Sequence, residues 1–283
     1  MSASKIEWTD ETWNVCTGCT KVSDGCKHCY VERIWPRLAG NPKHVCHGRK
    51  FTDIQRHPER LDQPLHWKRK RMVFVNSMSD LFHEDVSFEF IDEVFAIMAM
   101  CQQHTFQILT KRPERMREYT TSERIINVKW PLPNVWLGVS IEDQQTADER
   151  IPLLLQTPAA VRFVSAEPLL GLVDLCYSAF NGADSLQTMR GIDWVIVGGE
   201  SGPKARPMNP QWARDLRDQC KAAGVPFFFK QWGEWTPNWL NDNDGNMITG
   251  SIWMDRVGKK AAGCLLDGIE HKEMPEVKNG TRN

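Results

Sequence analysis

From residue 72 onward the chain repeats one pattern: a short apolar run rich in β-branched and aromatic residues, a polar cluster, then a stretch with helical periodicity. The apolar runs cover 72–75, 105–109, 135–139, 161–164, 194–197 and 225–229. Runs that stay apolar without alternation belong to strands buried on both faces, and their interleaving with helical stretches predicts a parallel sheet covered by helices. Helices are expected over 88–103, 141–156 and 209–223, and an earlier strand near 8–15. This makes six or seven strand–helix units over about 230 residues. A doubly wound sheet and a closed or partly closed barrel both fit that count.

The polar positions favour the barrel. Each apolar run is followed at once by a polar cluster, at 76–80, 110–112, 140–142, 165–167, 198–201 and 230–234. In a strand–helix barrel the site is built at the carboxyl ends of the strands, so these clusters should converge on one mouth; an open sheet would focus only some of them. The expected fold is α/β, a partial (β/α)6-type TIM-like barrel occupying residues 1–235. Residues 41–71 break the pattern with nine Lys or Arg against three acids, and are read as a basic, largely irregular insertion. Beyond 235 the pattern is lost again, which predicts a turn-rich extension over 236–283 and a frayed terminus.

Composition narrows the class. Among 283 residues, 41% are hydrophobic and 35 basic side chains balance 36 acidic ones, so the chain is neither a disordered tail nor a polycation. No apolar run approaches the roughly 18 residues that span a bilayer, and the first ten residues are too polar for a secretory signal, so a cytoplasmic protein without membrane contact is expected. In that compartment thiols stay reduced, and nine cysteines point to metal or redox chemistry before disulfides. Cys46, Cys101, Cys176, Cys220 and Cys264 are scattered and read as buried or inert.

The other four, Cys16, Cys19, Cys26 and Cys29, form C-x2-C-x6-C-x2-C. Two facing C-x2-C hooks are how a chain supplies four thiolates to one structural zinc. A second reading uses only three thiolates, which hold a [4Fe–4S] cube and leave one iron open for a small molecule. The spacing leaves both readings open.

The string WNVCTGCTKVSDGCKHCY at 13–30, with VNSMSDLF at 75–82, LTKRP at 109–113, LGVSIE at 137–142, SAEPL at 165–169 and VGGESG at 197–202, resembles a family associated with phages and bacteria. Its members in turn resemble radical S-adenosylmethionine (SAM) enzymes and are distantly similar to spore photoproduct lyase. The resemblance covers about residues 6–236. It implies a partial barrel with a C-x6-C-x2-C motif in which Cys19, Cys26 and Cys29 hold a [4Fe–4S] cluster. SAM would chelate the open iron and be cleaved reductively to a 5′-deoxyadenosyl radical that abstracts hydrogen from a substrate. A flavodoxin or ferredoxin would supply the electron. The substrate is unidentified, and the basic insertion, with Trp67 as a stacking ring, makes a nucleotide or nucleic acid a candidate.

The chain departs from these patterns both in its cysteine motif and in its SAM-binding motif. The usual C-x3-C-x2-C is three residues shorter, and His28 stands where an aromatic ring often precedes the last cysteine. Cys16 occupies a position that is apolar in the family, so the resemblance makes it an extra thiol. The Gly-Gly-Glu that commonly follows the second strand is replaced by the cluster at 76–80. There Asn76, Ser77, Ser79 and Asp80 offer acceptors for the SAM ammonium. Ser140, Glu167, Gly198, Gly199 and Glu200 complete the expected cofactor-binding set, the glycines by letting backbone approach a ligand.

Lys111, Arg112, Glu142 and Lys230 are the expected catalytic side chains. The first two are suited to a carboxylate or phosphate, Glu142 to an amine or hydroxyl, and Lys230 to the substrate. The plainer alternatives are a salt bridge from Lys111 or Arg112 into the helix holding Glu114 and Glu118, and glutamates that merely cap helices. As whole-protein alternatives, a zinc-stapled binding protein and a barrel hydrolase using Glu142 or Glu167 remain open.

Overall fold

Seven strands form one parallel sheet in the computed structural model, which describes residues 4, 6–125, 130–176, 189–241 and 247–276. They are β1 (Glu11–Trp13), β2 (Met72–Val75), β3 (Thr105–Thr110), β4 (Val135–Ile141), β5 (Val161–Ala166), β6 (Trp194–Gly198) and β7 (Phe227–Gln231). Each pairs with the next in sequence order, from β1 through to β7. Helices α1 (Tyr30–Ala39), α2 (Phe88–Met100), α3 (Pro113–Thr120), α4 (Gln144–Leu155) and α5 (Pro210–Ala223) complete the pattern. Local chemistry sets their limits. Asp143 accepts from the Thr146 amide in a capping box, which starts α4 after the 141 expected for it. Asn209 caps α5 and Gly224, at φ +66°, ends it.

The sheet is curled. The Trp8 ring lies 4.8 Å from Phe74 on β2 and 6.2 Å from Trp194 on β6. Four strand spacings would hold those two strands about 19 Å apart in a flat sheet. The sheet therefore wraps around Trp8 as a half-barrel, with seven strands where a six-strand form was expected.

Side chains alternate across each strand and divide the core in two. Val73, Phe106, Ile108, Val139, Val164 and Val197 point outward into the main core under the helices. Trp136, Val161, Phe163, Trp194, Ile196 and Phe228 point inward around Trp8 and close the amino-terminal end with an apolar floor. The same inward positions continue toward the carboxyl ends as Ser140, Glu142, Ser165 and Glu167, so one period-two rule makes both the floor and the polar mouth.

Residues 41–71 are folded against the body. Gln55–Arg56 pairs antiparallel with Cys16–Thr17, and Cys46, Pro64 and Trp67 are buried. Trp67 packs edge-on to His104 with centroids 5.5 Å apart, so its ring is unavailable for stacking on a base. Lys68, Arg69 and Lys70 are exposed just before β2, at the end of the sheet opposite the polar mouth.

The carboxyl-terminal segment does not fray as far as it is described. The hairpin β8 (Trp235–Asn241) and β9 (Met247–Arg256) is followed by chain that returns to the free edge of β7. There the Phe229 amide donates to the His271 carbonyl at 2.9 Å, and Phe228 bridges Lys272. Covering this edge removes an open template for strand pairing, a need that a reading of turn residues overlooks. Residues 277–283 lie outside the described chain. Among the described residues no helix is long and apolar enough to cross a membrane.

Candidate functional site

The cysteine loop runs from the end of β1 across the carboxyl ends of the strands. Cys19, Cys26 and Cys29 are partly exposed, whereas Cys16 is fully buried in the main core, where its amide donates to Asn76 Oδ1 at 3.0 Å. Burial pushes the Cys16 thiol up to about 12 and the Cys19 thiol to about 11. Burial also raises Cys29, against the pull of the Glu32 and Val31 amides at the start of α1. Cys26 lies close enough to both Cys19 and Cys29 to disfavour their charged forms. Among the described residues no group of three or more His, Cys, Asp or Glu side chains is arranged to hold a single metal ion.

Three strand-end carboxylates line the mouth, each paired with one or two cations, and two of them, Glu142 and Glu200, contact this loop. Glu142, fully buried, pairs with Lys111 and Arg150 and accepts from the Ser23 hydroxyl at 2.8 Å. Burial works to raise its carboxyl, but Lys111 and Arg150 outweigh it and hold it below the usual carboxylate range. Glu200 takes a forked contact from Arg206, at 2.9 Å and 2.7 Å, and lies 3.1 Å from His28 Nδ1. It too is held low, by Arg206 and His28 against burial. Arg206 reaches on to the Asp24 carbonyl at 3.0 Å. Glu167 accepts from Lys230 at 3.1 Å and Ser165 at 3.3 Å on one oxygen, while the buried Oε1 has no hydrogen-bond partner within the protein. The Ser140 carbonyl accepts from Arg150 at 2.6 Å.

The residues after β2 and β3 hold the loop from its other side. The Ser77 hydroxyl donates to Asn14 Oδ1 and the Ser79 hydroxyl to the Gly18 carbonyl, at 3.1 and 2.7 Å. Asn76 adopts φ +62°, and its buried Nδ2 has no hydrogen-bond partner within the protein. Asp80 accepts from the Thr110 hydroxyl at 2.7 Å and the Lys111 amide at 3.0 Å, which makes it a brace between two strand-end loops. Arg112 reaches Glu84 at 3.1 Å, Thr20 Oγ1 at 2.7 Å and Cys19 Sγ at 3.8 Å. Lys111 and Arg112 thus turn to Glu142 and Glu84, and not along α3 to Glu114 or Glu118.

The two adjacent glycines differ in role. A Cβ on Gly198 would come within 2.6 Å of Glu167 Oε1, inside the mouth. One on Gly199 would overlap the Trp232 carbonyl, so the absent side chain there serves close packing of two backbone segments and not approach of a ligand. Sequence reasoning passed over Ser23, Arg150 and Arg206. The last two carry a readable signal, a cation eight or six positions after a strand-end glutamate; Ser23 carries none.

Fold and site together define an α/β half-barrel protein with a thiol-bearing loop seated over its mouth. The chain belongs to the DUF5131 family, described as proteins of unknown function, which matches residues 3–275. No curated protein matches it. Solved structures of spore photoproduct lyase are similar to it. A cysteine-to-serine mutant has a TM-score of 0.45 at 11% identity, covering 89% of this chain and 69% of that one. A complex with dinucleoside spore photoproduct has 0.45 at 10%, covering 92% and 71%. A mutant with bound AdoMet and dinucleoside spore photoproduct has 0.45 at 10%, covering 85% and 68%.

Proposed function

We propose that the protein is an unusual radical SAM enzyme, with a [4Fe–4S] cluster on Cys19, Cys26 and Cys29 and SAM bound at the mouth of the half-barrel. The observation that carries this reading is the presentation of three partly exposed thiols, and not the fourth, by a loop pinned to four strand ends. The donor set fits such a cluster. Its corners take one thiolate each and leave one iron open, whereas a structural zinc asks for four converging ligands. Bound there, the cluster supplies an electron for cleavage of SAM to a 5′-deoxyadenosyl radical that abstracts hydrogen from the substrate.

The chain's own residues then hold and orient. Ser23, Asp24 and His28 fix the loop on Glu142, Arg206 and Glu200. Glu167 offers its unsatisfied oxygen to a hydrogen-bond donor in the mouth, beside the Lys230 ammonium. The apolar floor around Trp8 keeps water from entering beneath. The substrate is unidentified: with Trp67 buried and Lys68, Arg69 and Lys70 remote from the mouth, the basic insertion does not argue for a nucleotide or nucleic acid there. The electron donor is a flavodoxin or ferredoxin. Of the two glutamates a hydrolase would use, Glu142 does not suit one: it is ionised, buried and paired with Lys111 and Arg150, the opposite of a poised general acid or base. Glu167, with one oxygen unsatisfied, is the one on which that second reading rests.

Metal analysis of anaerobically purified protein tests the reading. About four irons per chain, a brown colour and loss of both in Cys26→Ala are expected, followed by 5′-deoxyadenosine on incubation with SAM and dithionite. One zinc and no colour would overturn it.

A further inference from the structure

Arg112 is buried, at 9% exposure, at the start of α3. Its Nε donates to Glu84 and its Nη2 to the hydroxyl and carbonyl of Thr20, at 2.7 and 3.2 Å. Only longer contacts remain to Nη1, 3.5 Å to Asp80 Oδ2 and 3.8 Å to Cys19 Sγ. Asp80 shares this nitrogen as an ion-pair partner, although shorter bonds from Thr110, Lys111 and Phe82 already serve its carboxylate. The contact to sulfur is within hydrogen-bonding range for that larger atom.

The other two thiols meet neutral groups. Cys26 Sγ lies 4.0 Å from the Ser23 hydroxyl, and Cys29 has the Val31 and Glu32 amides. A nearby candidate cation, Lys111, is taken by Glu142. Among the described residues a cation therefore touches one of the three sulfurs, at Cys19.

We propose that Arg112 is a positioning residue for Cys19, whose fixed positive charge raises the reduction potential of the cluster that this sulfur would ligate. The inference rests on the cluster reading above. Hydrogen bonds and charge at ligating sulfurs set cluster potentials. When one electron enters from an external reductant such as dithionite, the added negative charge spreads onto the thiolates, and the guanidinium stabilises that form more than the oxidised one. No proton is needed for balance, because arginine stays charged throughout.

The test compares anaerobically reconstituted wild type, Arg112→Gln and Arg112→Lys. Iron and sulfide are counted first, and the potential is then titrated with dithionite and read by electron paramagnetic resonance. Removing the charge should lower the midpoint enough to cut the reduced-to-oxidised ratio about tenfold at the wild-type midpoint, 59 mV for one electron. Arg112→Lys, which keeps the charge without the fork, should shift less. Equal midpoints in the variants that hold iron overturn the proposal. If Arg112→Gln loses its iron, Arg112→Met, which also removes the charge, decides in the same way. Absence of iron from the wild type would instead sink the cluster reading, and this inference with it.

Discussion

Ser23 Oγ donates to Glu142 Oε1 across 2.8 Å and 119 positions of sequence. That bond joins the thiol-bearing loop to the end of β4, and the carboxylate also neutralises Lys111 and Arg150. Glu142→Ala would leave the buried Arg150 and the partly buried Lys111 without their anion. Breaking a buried pair from one side costs about 3–5 kcal/mol, to be measured by urea denaturation. A loss under about 1 kcal/mol would mean that the cluster of charges contributes little.

The same carboxyl makes stability depend on acid. Held below its ordinary 4.5, Glu142 contributes stability that is fully present above that value and lost as pH falls through its lower, folded pKa. Glu200 acts in the same direction. The urea midpoint should fall as pH drops below about 4.5, and the gap between wild type and Glu142→Gln should narrow over the same range. A gap that stays constant down to pH 3 would contradict this.

Neighbouring glycines should respond differently to one methyl group. Gly199→Ala pushes a Cβ into the Trp232 carbonyl, where backbone must shift, whereas Gly198→Ala meets only the mobile end of Glu167. Overpacking against backbone costs about 1–3 kcal/mol or more. Thermal melts should place Gly199→Ala clearly below Gly198→Ala, which folds nearly as well as wild type. The reverse order would refute the division of roles between them.

Cys16 and Cys26 should separate cleanly. Cys16→Ala removes a small group from the core at a cost of about 1 kcal/mol and leaves iron bound, while Cys26→Ala loses it. Equal loss of metal from both, counted after anaerobic purification, would return Cys16 to the ligand set.

Trp8→Ala tests the curl. The ring touches residues of β2, β5 and β6, so its removal opens a cavity where the sheet wraps. The expected loss is about 3–5 kcal/mol, read by calorimetry, and an unchanged melting temperature would mean that other contacts set the curvature.

Much of this architecture can be read from the chain because it follows from short-range rules. The run at 72–75 is β2 as written, and the inward alternation from Trp136 to Glu142 carries a strand-end residue into the mouth without further information. Other features depend on distant partners. Asp80 looks like a ligand acceptor until Thr110, thirty positions on, occupies it. Arg112 looks like a phosphate fork until Thr20 and Glu84 take its donors. β1 is only three residues of the expected eight, because its pairing partner β2 is itself short.

The pinning of the cysteine loop also has a temporal side. Its seats on Glu142, Glu200 and Arg206 lie as many as 182 positions further along the chain. At about 5–20 residues per second, a nascent chain would wait roughly 10–35 s between the emergence of Asp24 and that of Arg206. During that interval the loop has only its earlier seats, on Ser77, Ser79 and Arg112, so the complete docking surface for inorganic material exists only after most of the polypeptide has been made.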